Sequence, residues 1–284
     1  MKKLILSGCL LFLLVVLNAQ QTESEKIYRL THNQLTAGLS AIDIRDPYLS
    51  ILNYSGVGLR VENLAERFFK GNDPHWSSYN RLSGIASFGV NPTSTSSMIY
   101  MSGNAAWGVQ YHYREINRLV LTGGANIDGT LGFRLAGRNI NNEENVELAT
   151  NLNVRIGARY LIPTKRRTMV FRAQLESPLL GFMFVPMPGL SYYEMSFSEE
   201  FKKMILFSNF NNKQGLQQRY ALDIPFKHST WTFGMRSNIL LFTAHDQVNS
   251  FRERGYFIGF SYDLIRLSGR RHTWPESFIS PQFL

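Results

Sequence analysis

The chain has 284 residues, a formal net charge of +9, 44% hydrophobic and 13% aromatic residues, and one cysteine. One cysteine excludes a disulfide framework within the chain, and basic residues scattered between apolar neighbours argue against a nucleic-acid surface. The slightly negative mean hydropathy and the lack of a continuous apolar run after the N-terminus exclude a helical membrane protein. They do not exclude a barrel, whose strands alternate apolar and polar residues.

In chain order, Lys2 and Lys3 precede a mostly apolar run from Leu4 to Leu17, and Asn18-Ala19-Gln20 offers a small residue for cleavage after Ala19. Residues 1–19 therefore read as a secretory signal peptide, the apolar run being short for a membrane span. Leu6-Ser7-Gly8-Cys9 has the form of a lipoprotein box, but most of the apolar core follows Cys9 instead of preceding it. Cleavage would remove the cysteine and lower the formal net charge from +9 to +7. Residues 20–34 are polar and read as a flexible lead-in.

From Leu35 onward, segments of period two follow one another. Val57, Leu59 and Val61 alternate with Gly56, Gly58, Arg60 and Glu62. Leu82, Gly84, Ala86, Phe88 and Val90 alternate with Ser83, Ser87 and, less cleanly, Ile85. Ile99, Met101, Ala105, Trp107, Val109, Tyr111 and Tyr113 oppose Ser102, Asn104, Gln110 and His112, and Leu119 to Arg134 is a long Gly-rich candidate. The clearest segment runs from Val146 to Ile162. Its even positions are almost wholly apolar, and its odd positions carry Glu147, Asn151, Asn153, Arg155 and Arg159. Successive strand side chains point to opposite faces, so such a segment is a wall between an apolar and a polar medium. Further candidates surround Met169–Glu176, Leu216–Phe226, Trp231–Asn238 and Tyr256–Leu264, with turn-forming residues between them. The pattern predicts an all-β fold: a single antiparallel transmembrane β-barrel over 35–267, of about twelve strands within a range of 10–12, and a tail at 268–284. Such a protein resides in the outer membrane. A β-sandwich also alternates, but with shorter strands and more Lys and Glu outside.

On this parity Arg60, Glu62, Arg134, Glu147, Arg155, Arg159, Arg172, Glu176, Arg219, Asp223, Arg236 and Asp263 face the lumen. Two readings follow: a lining that selects small, anionic solutes, or an ion-paired filling of a narrow barrel. The second is the stronger, because acids are interspersed with the arginines and buried charges persist mainly in pairs. His75 and Ser77 lie two apart at a strand start, the spacing of a His-x-Ser pair in lipid hydrolases of the outer membrane, so they are the weak catalytic candidates. The plainer reading is a polar strand start with Trp76 at the membrane interface. His32, His112, His228, His245 and His272 show no metal-ligand spacing, and there is no phosphate loop and no Gly-x-Ser-x-Gly elbow. The expected partners are outer-membrane lipids and, on the channel reading, small solutes, with no cofactor, metal or nucleic acid.

Two segments carry a family likeness. One is Asp46-Pro47-Tyr48-Leu49-Ser50 with Tyr54-Ser55-Gly56 and Glu62. The other is Ser177-Pro178-Leu179-Leu180-Gly181-Phe182-Met183-Phe184-Val185-Pro186 with Gly189, Tyr192, Tyr193 and Glu194. Together they resemble the domain-of-unknown-function 3316 family (DUF3316) of Bacteroides-group outer-membrane β-barrel proteins, from which the chain departs by Ile51, where a proline is expected, and by a longer tail. The resemblance implies an outer-membrane barrel and no known biochemical activity. Read on its own residues, the second segment has prolines that cannot donate ladder bonds and glycines that permit bends. A bulged strand at the rim or a loop bent into the lumen would satisfy it. Pro178, Gly181, Phe182, Met183, Phe184 and Pro186 are accordingly candidates for a lumen constriction.

Overall fold

The computed structural model describes residues 28–70, 74–137, 144–165, 167–187, 189, 191–192, 194, 199–226, 229–265 and 278–281. The signal segment, most of the lead-in, much of the tail, Tyr193, His228 and His272 lie outside the described residues.

Long alternating segments fold as long strands. They are β1 (Tyr28–Asp46), β2 (Ser50–Phe68), β3 (Trp76–Val90), β4 (Ser97–Ile116), β5 (Leu119–Ala136), β6 (Glu144–Pro163), β7 (Thr168–Phe184), β8 (Ile205–Asn209), β9 (Lys213–Pro225), β10 (Thr230–Ala244), β11 (Gln247–Ile265) and β12 (Phe278–Ile279). Each strand from β1 to β7 pairs antiparallel with the next, β7 pairs with β9, and β9 to β11 continue the ladder. Strand β11 returns to β1, from Leu30↔Ile265 to Arg45↔Ser250, and closes the ring. Ten strands form the closed wall. The expected twelve is reached only by counting β8, which pairs with the end of β7, and β12, which lies parallel to Tyr28 and Arg29. Residues 28–34, read from sequence as part of the lead-in, belong to β1, where His32 and Gln34 are buried.

The parity of β6 places its side chains as the alternation predicts. Leu148, Leu152, Val154, Ile156 and Tyr160 are exposed, while Asn151, Asn153, Arg155 and Arg159 are buried. The same inversion of a soluble protein holds around the wall, with Leu59, Leu82, Trp107, Ile127, Phe182 and Ile258 all outside. The end of the barrel where β1 begins and β11 ends is called here the terminal end, and the opposite one the far end. The terminal-end turns are at 69–75, 117–118, 164–167 and 226–229, and the far end carries the longest connection, 185–204.

Besides slips near the strand ends at Arg45/Asp46 and Tyr113/Ile116, the wall is interrupted at β7. Strand β7 pairs with β9 from Val170↔Asp223 to Glu176↔Gln217, and then with β8 from Leu180↔Asn209 to Phe184↔Ile205. Strands β8 and β9 thus run in the same sense along β7, as one wall strand interrupted by four extra residues. On the other side of β7 the register slips by one residue at Leu179, between Asn153↔Pro178 and Leu152↔Leu180, which is a β-bulge. Pro178 stands at the row where β7 lacks a ladder partner on its β8–β9 side, so its missing N–H disturbs little there. This corrects the expected constriction: Pro178, Gly181 and Phe182 are part of the wall, and Phe182 faces outward against Phe207 with ring centroids 5.5 Å apart. The break depends on a close approach, because a Cβ on Gly215 would lie 2.9 Å from Cδ of Pro178. Gly215→Val is expected to destabilise the barrel by about 1–3 kcal/mol, while Gly103→Val, at a position where a Cβ meets nothing within 4 Å, is neutral. Urea unfolding in detergent micelles checks this, and equal midpoints for the two variants would refute it.

Candidate functional site

The lumen is packed with charge in layers. Near the terminal end Glu66 is the hub. Arg159 Nη2 lies 2.5 Å from its Oε2, and Gln110 Nε2 (2.7 Å) and Ser77 Oγ (3.1 Å) donate to its Oε1. His32 Nδ1 meets Asp263 at 2.8 Å close by. Pro281 lies at this end, where it is buried and its carbonyl accepts a hydrogen bond from Arg159 Nη1. Deeper in, Asp223 takes Arg172 Nη2 at 2.8 Å and the Thr232 hydroxyl at 2.6 Å, and Arg219 donates to Gln34. The middle holds Arg60–Glu253 (2.8 and 2.6 Å), Arg81–Glu176 (3.0 and 2.8 Å) and Arg236–Glu62 (2.5 Å), with Arg155 over the Tyr79 ring at 4.2 Å. Toward the far end Arg134 bridges Asp46 (3.0 Å) and Glu147 (2.6 Å), and Tyr100 also donates to Glu147.

Eleven of the twelve lumen charges read from the sequence are buried or half-buried on the inward face, while Asp263 is exposed at the terminal rim beside His32; they are joined by partners that the sequence reading missed: Asp46, Glu66, Arg81, Asp128, Lys213 and Glu253. Parity held the signal for Glu66, Arg81 and Glu253, each on the inward phase of its strand. Lys213 had read as a turn residue. The four-residue interruption before β9 turns it inward, where its ammonium donates to Asn151 Oδ1 at 2.7 Å. Between these layers lies a cavity of about 100 Å³ lined by Arg60, Tyr100, Asp128, Asn151, Lys213 and Asn238 among others, with a smaller one of about 30 Å³ beside Arg81, Arg155 and Arg219. Spaces of that size hold a few waters each.

The far end is closed by apolar side chains. Ile42, Ile44, Leu49, Tyr54, Ile85, Met98, Tyr100, Met204 and Phe251 form a buried cluster inside the ring, with Phe184, Met187 and Tyr192 packed on it. Met183 and Val185 join a smaller inward cluster with Ala149 and Ala244. The two segments of family likeness meet here. Tyr48 lies edge-on to Tyr192 at 5.8 Å, Asp46 anchors the β1–β2 turn to Arg134 and Asn145, and the Tyr192 hydroxyl accepts from the Val146 amide at 2.8 Å. Burial pushes the Tyr48 phenol up and that of Tyr192 up to about 12, so both stay protonated donors. Thus the part of the expected constriction that does lie within the ring is Met183, Phe184 and the buried Pro186, together with residues beyond them.

The catalytic candidates do not meet. His75 stacks on Tyr111 and its Nδ1 contacts the carbonyl of His112, whereas Ser77 Oγ lies 2.8 Å from His112 Nε2. Ser77, His112 and Glu66 form a cluster, but the carboxylate shares Nε2 with the serine (3.3 Å), and His112 Nδ1 has no hydrogen-bond partner among the described residues. A relay needs the acid on the nitrogen opposite the nucleophile. Both Ser77 and His112 are fully buried, so this is a polar packing cluster.

Against known proteins, the profile of the family described as "Protein of unknown function (DUF3316)" matches residues 5–271. None of the curated proteins compared matches the chain. Among solved structures, the outer-membrane protease OmpT of Escherichia coli is similar with a TM-score of 0.50 at 6% identity, over 86% of this chain and 100% of that one. The transport unit of the autotransporter AIDA-I of Escherichia coli aligns at 9% identity and a TM-score of 0.40, over 87% of this chain and 94% of that one. The translocator domain of the autotransporter NalP of Neisseria meningitidis aligns at 10% identity and a TM-score of 0.40, over 91% and 94%. At these identities the likeness concerns the fold alone.

Proposed function

This chain belongs to the DUF3316 family, and from that membership and the two faces of its wall we propose that it is an outer-membrane barrel with a closed, ion-paired lumen, acting as a structural or interaction barrel. Its exposed apolar ring suits lipid on all sides. The observation that carries the closed lumen is the layered pairing of Arg60, Arg81, Arg134, Arg159, Arg172 and Arg236 with carboxylates, between which lie small cavities of about 100 and 30 Å³. Balanced charge of this kind fills a narrow barrel, whereas a selectivity lining leaves one sign exposed to the permeating ion.

Planar-bilayer recording on purified protein tests the reading. The intact chain is expected to insert without a sustained open level, and a steady ohmic conductance of porin size would overturn it. A gated channel for small solutes is the second reading. It is favoured by the position of the cavity between two ends to which residues outside the wall strands contribute, Pro281 at one and Met187 with Tyr192 at the other. Brief, voltage-dependent openings in the same recording would favour it. The hydrolase reading finds no support in the geometry of His75 and Ser77.

A further inference from the structure

At the far end of β11 and β1 the polarity of the wall reverses. Outward side chains on β11 run Leu264, Tyr262, Phe260, Ile258 and Tyr256, and then Arg254 and Arg252; on β1 they run Leu35, Ala37, Leu39 and Ala41, and then Asp43 and Arg45. Arg45, Arg252 and Arg254 are exposed. On the inner face at the same rows Ile42, Ile44 and Phe251 belong to the apolar cap. A strand that is apolar inside and charged outside has left the hydrocarbon. The span Tyr256–Leu264 fits the roughly 9–11 residues with which a tilted strand crosses it. Arg254 therefore stands at the edge of the apolar belt, level with Ala41 on β1 and Ser237 on β10. These small neighbours leave its guanidinium uncovered, and Arg252 and Arg45 follow at the next rows.

Tyr256, 78% exposed, supplies an aromatic ring just below. Asp43 is the one acid on this outer face among the described residues of β1 and β11 near the cluster; it stands opposite Arg252 in the register, but its carboxylate accepts the Ser55 hydroxyl at 2.9 Å. Glu253 points inward to Arg60. Among the described residues none of the three guanidiniums has a carboxylate partner. Three guanidiniums against one acid, which sits opposite Arg252 and is engaged by Ser55, leave an excess of positive charge at the depth of lipid headgroups; this matches phosphate groups, which arginine binds bidentately.

We infer that Arg45, Arg252 and Arg254 form a site for the phosphate of a membrane lipid headgroup, on the far rim of the β11–β1 seam. The inference rests on the membrane-spanning reading above. The test is native mass spectrometry of the detergent-solubilised full chain titrated with diphosphoryl lipid A and with its dephosphorylated form. The wild type should retain the phosphorylated lipid preferentially, and Arg252→Gln/Arg254→Gln should retain it at least about tenfold more weakly. Lys70→Gln/Lys165→Gln, at the opposite end, removes the same charge and should bind as the wild type does. Equal retention by the arginine variant, no preference for the phosphorylated form, or displacement by inorganic phosphate alone would overturn the site. Cell fractionation separates the two failures: a chain found in the membrane without lipid preference loses only this site, while one found in the aqueous fraction loses the membrane-spanning reading as well.

Discussion

Glu66→Leu should lower the stability of the barrel by about 3–5 kcal/mol, because it leaves Arg159 buried without its counter-charge. Glu66 is 2% exposed and gathers Arg159, Gln110 and Ser77 on its two oxygens. Removing it strands a guanidinium whose other contact is the neutral carbonyl of Pro281. The loss should not be additive. In Glu66→Leu/Arg159→Met both charges are gone and an apolar pair of similar volume takes their place, so most of the stability should return. Glu115→Gln, at an exposed carboxylate of β4, should stay within about 0.5 kcal/mol of wild type. Urea unfolding of the three variants in detergent micelles measures this. A single variant as stable as wild type, or a double variant no better than the single one, would contradict the hub role.

The hub also marks where reading the sequence stops. Which face a residue takes is local information, fixed by parity, so Arg159 and His112 could be placed in the lumen from the chain alone. Which residues meet across strands depends on register, and the intervening turns set that. Ser77 lies opposite Gln110 and one diagonal from His112 because of the length of the 91–96 turn. No feature of His75-Trp76-Ser77 reveals it, and the neighbouring histidine in sequence proved to be the wrong partner. Glu66 was missed for a simpler reason. The alternation of β2 weakens after Glu62, where outward Val and Leu give way to Asn63, Ala65 and Arg67.

Disturbances of the pattern carried as much meaning as the pattern. Ile85, the uneven member of the β3 alternation, is 5% exposed and part of the far-end cap. Ile42-Asp43-Ile44-Arg45 inverts the polarity of β1 because the strand passes beyond the apolar belt while the cap fills the ring. Pro178 had argued for an interruption. The chain accommodates it with a bulge on one side and a displaced partner strand on the other, a compensation spread over residues 177–216 and invisible in any short window. The two family-like segments could be recognised singly, but their meeting at Tyr48 and Tyr192 is a fact of the tertiary structure.

The sharpest test of the wall itself is Val154→Arg. Val154 is outward and 39% exposed, in the middle of β6, between Ala125 on β5 and Ser177 on β7. If lipid surrounds the barrel, an arginine near the midplane costs about 2–4 kcal/mol, while in a water-exposed wall it would cost almost nothing. Asn153, its lumen neighbour, is a poor comparison, because the lumen is packed: Asn153 is 3% exposed and donates to Asn126 Oδ1 at 2.7 Å, so a larger side chain there would fail by crowding. Val154→Leu is the proper control, since it keeps the site apolar. The measurement is the equilibrium unfolding free energy of both variants refolded into phospholipid bilayers, repeated in detergent, where the penalty should shrink because a micelle lets the guanidinium snorkel to water. Equal stability of the arginine and leucine variants in the bilayer would mean that this face does not meet hydrocarbon, and the outer-membrane reading would fall with it.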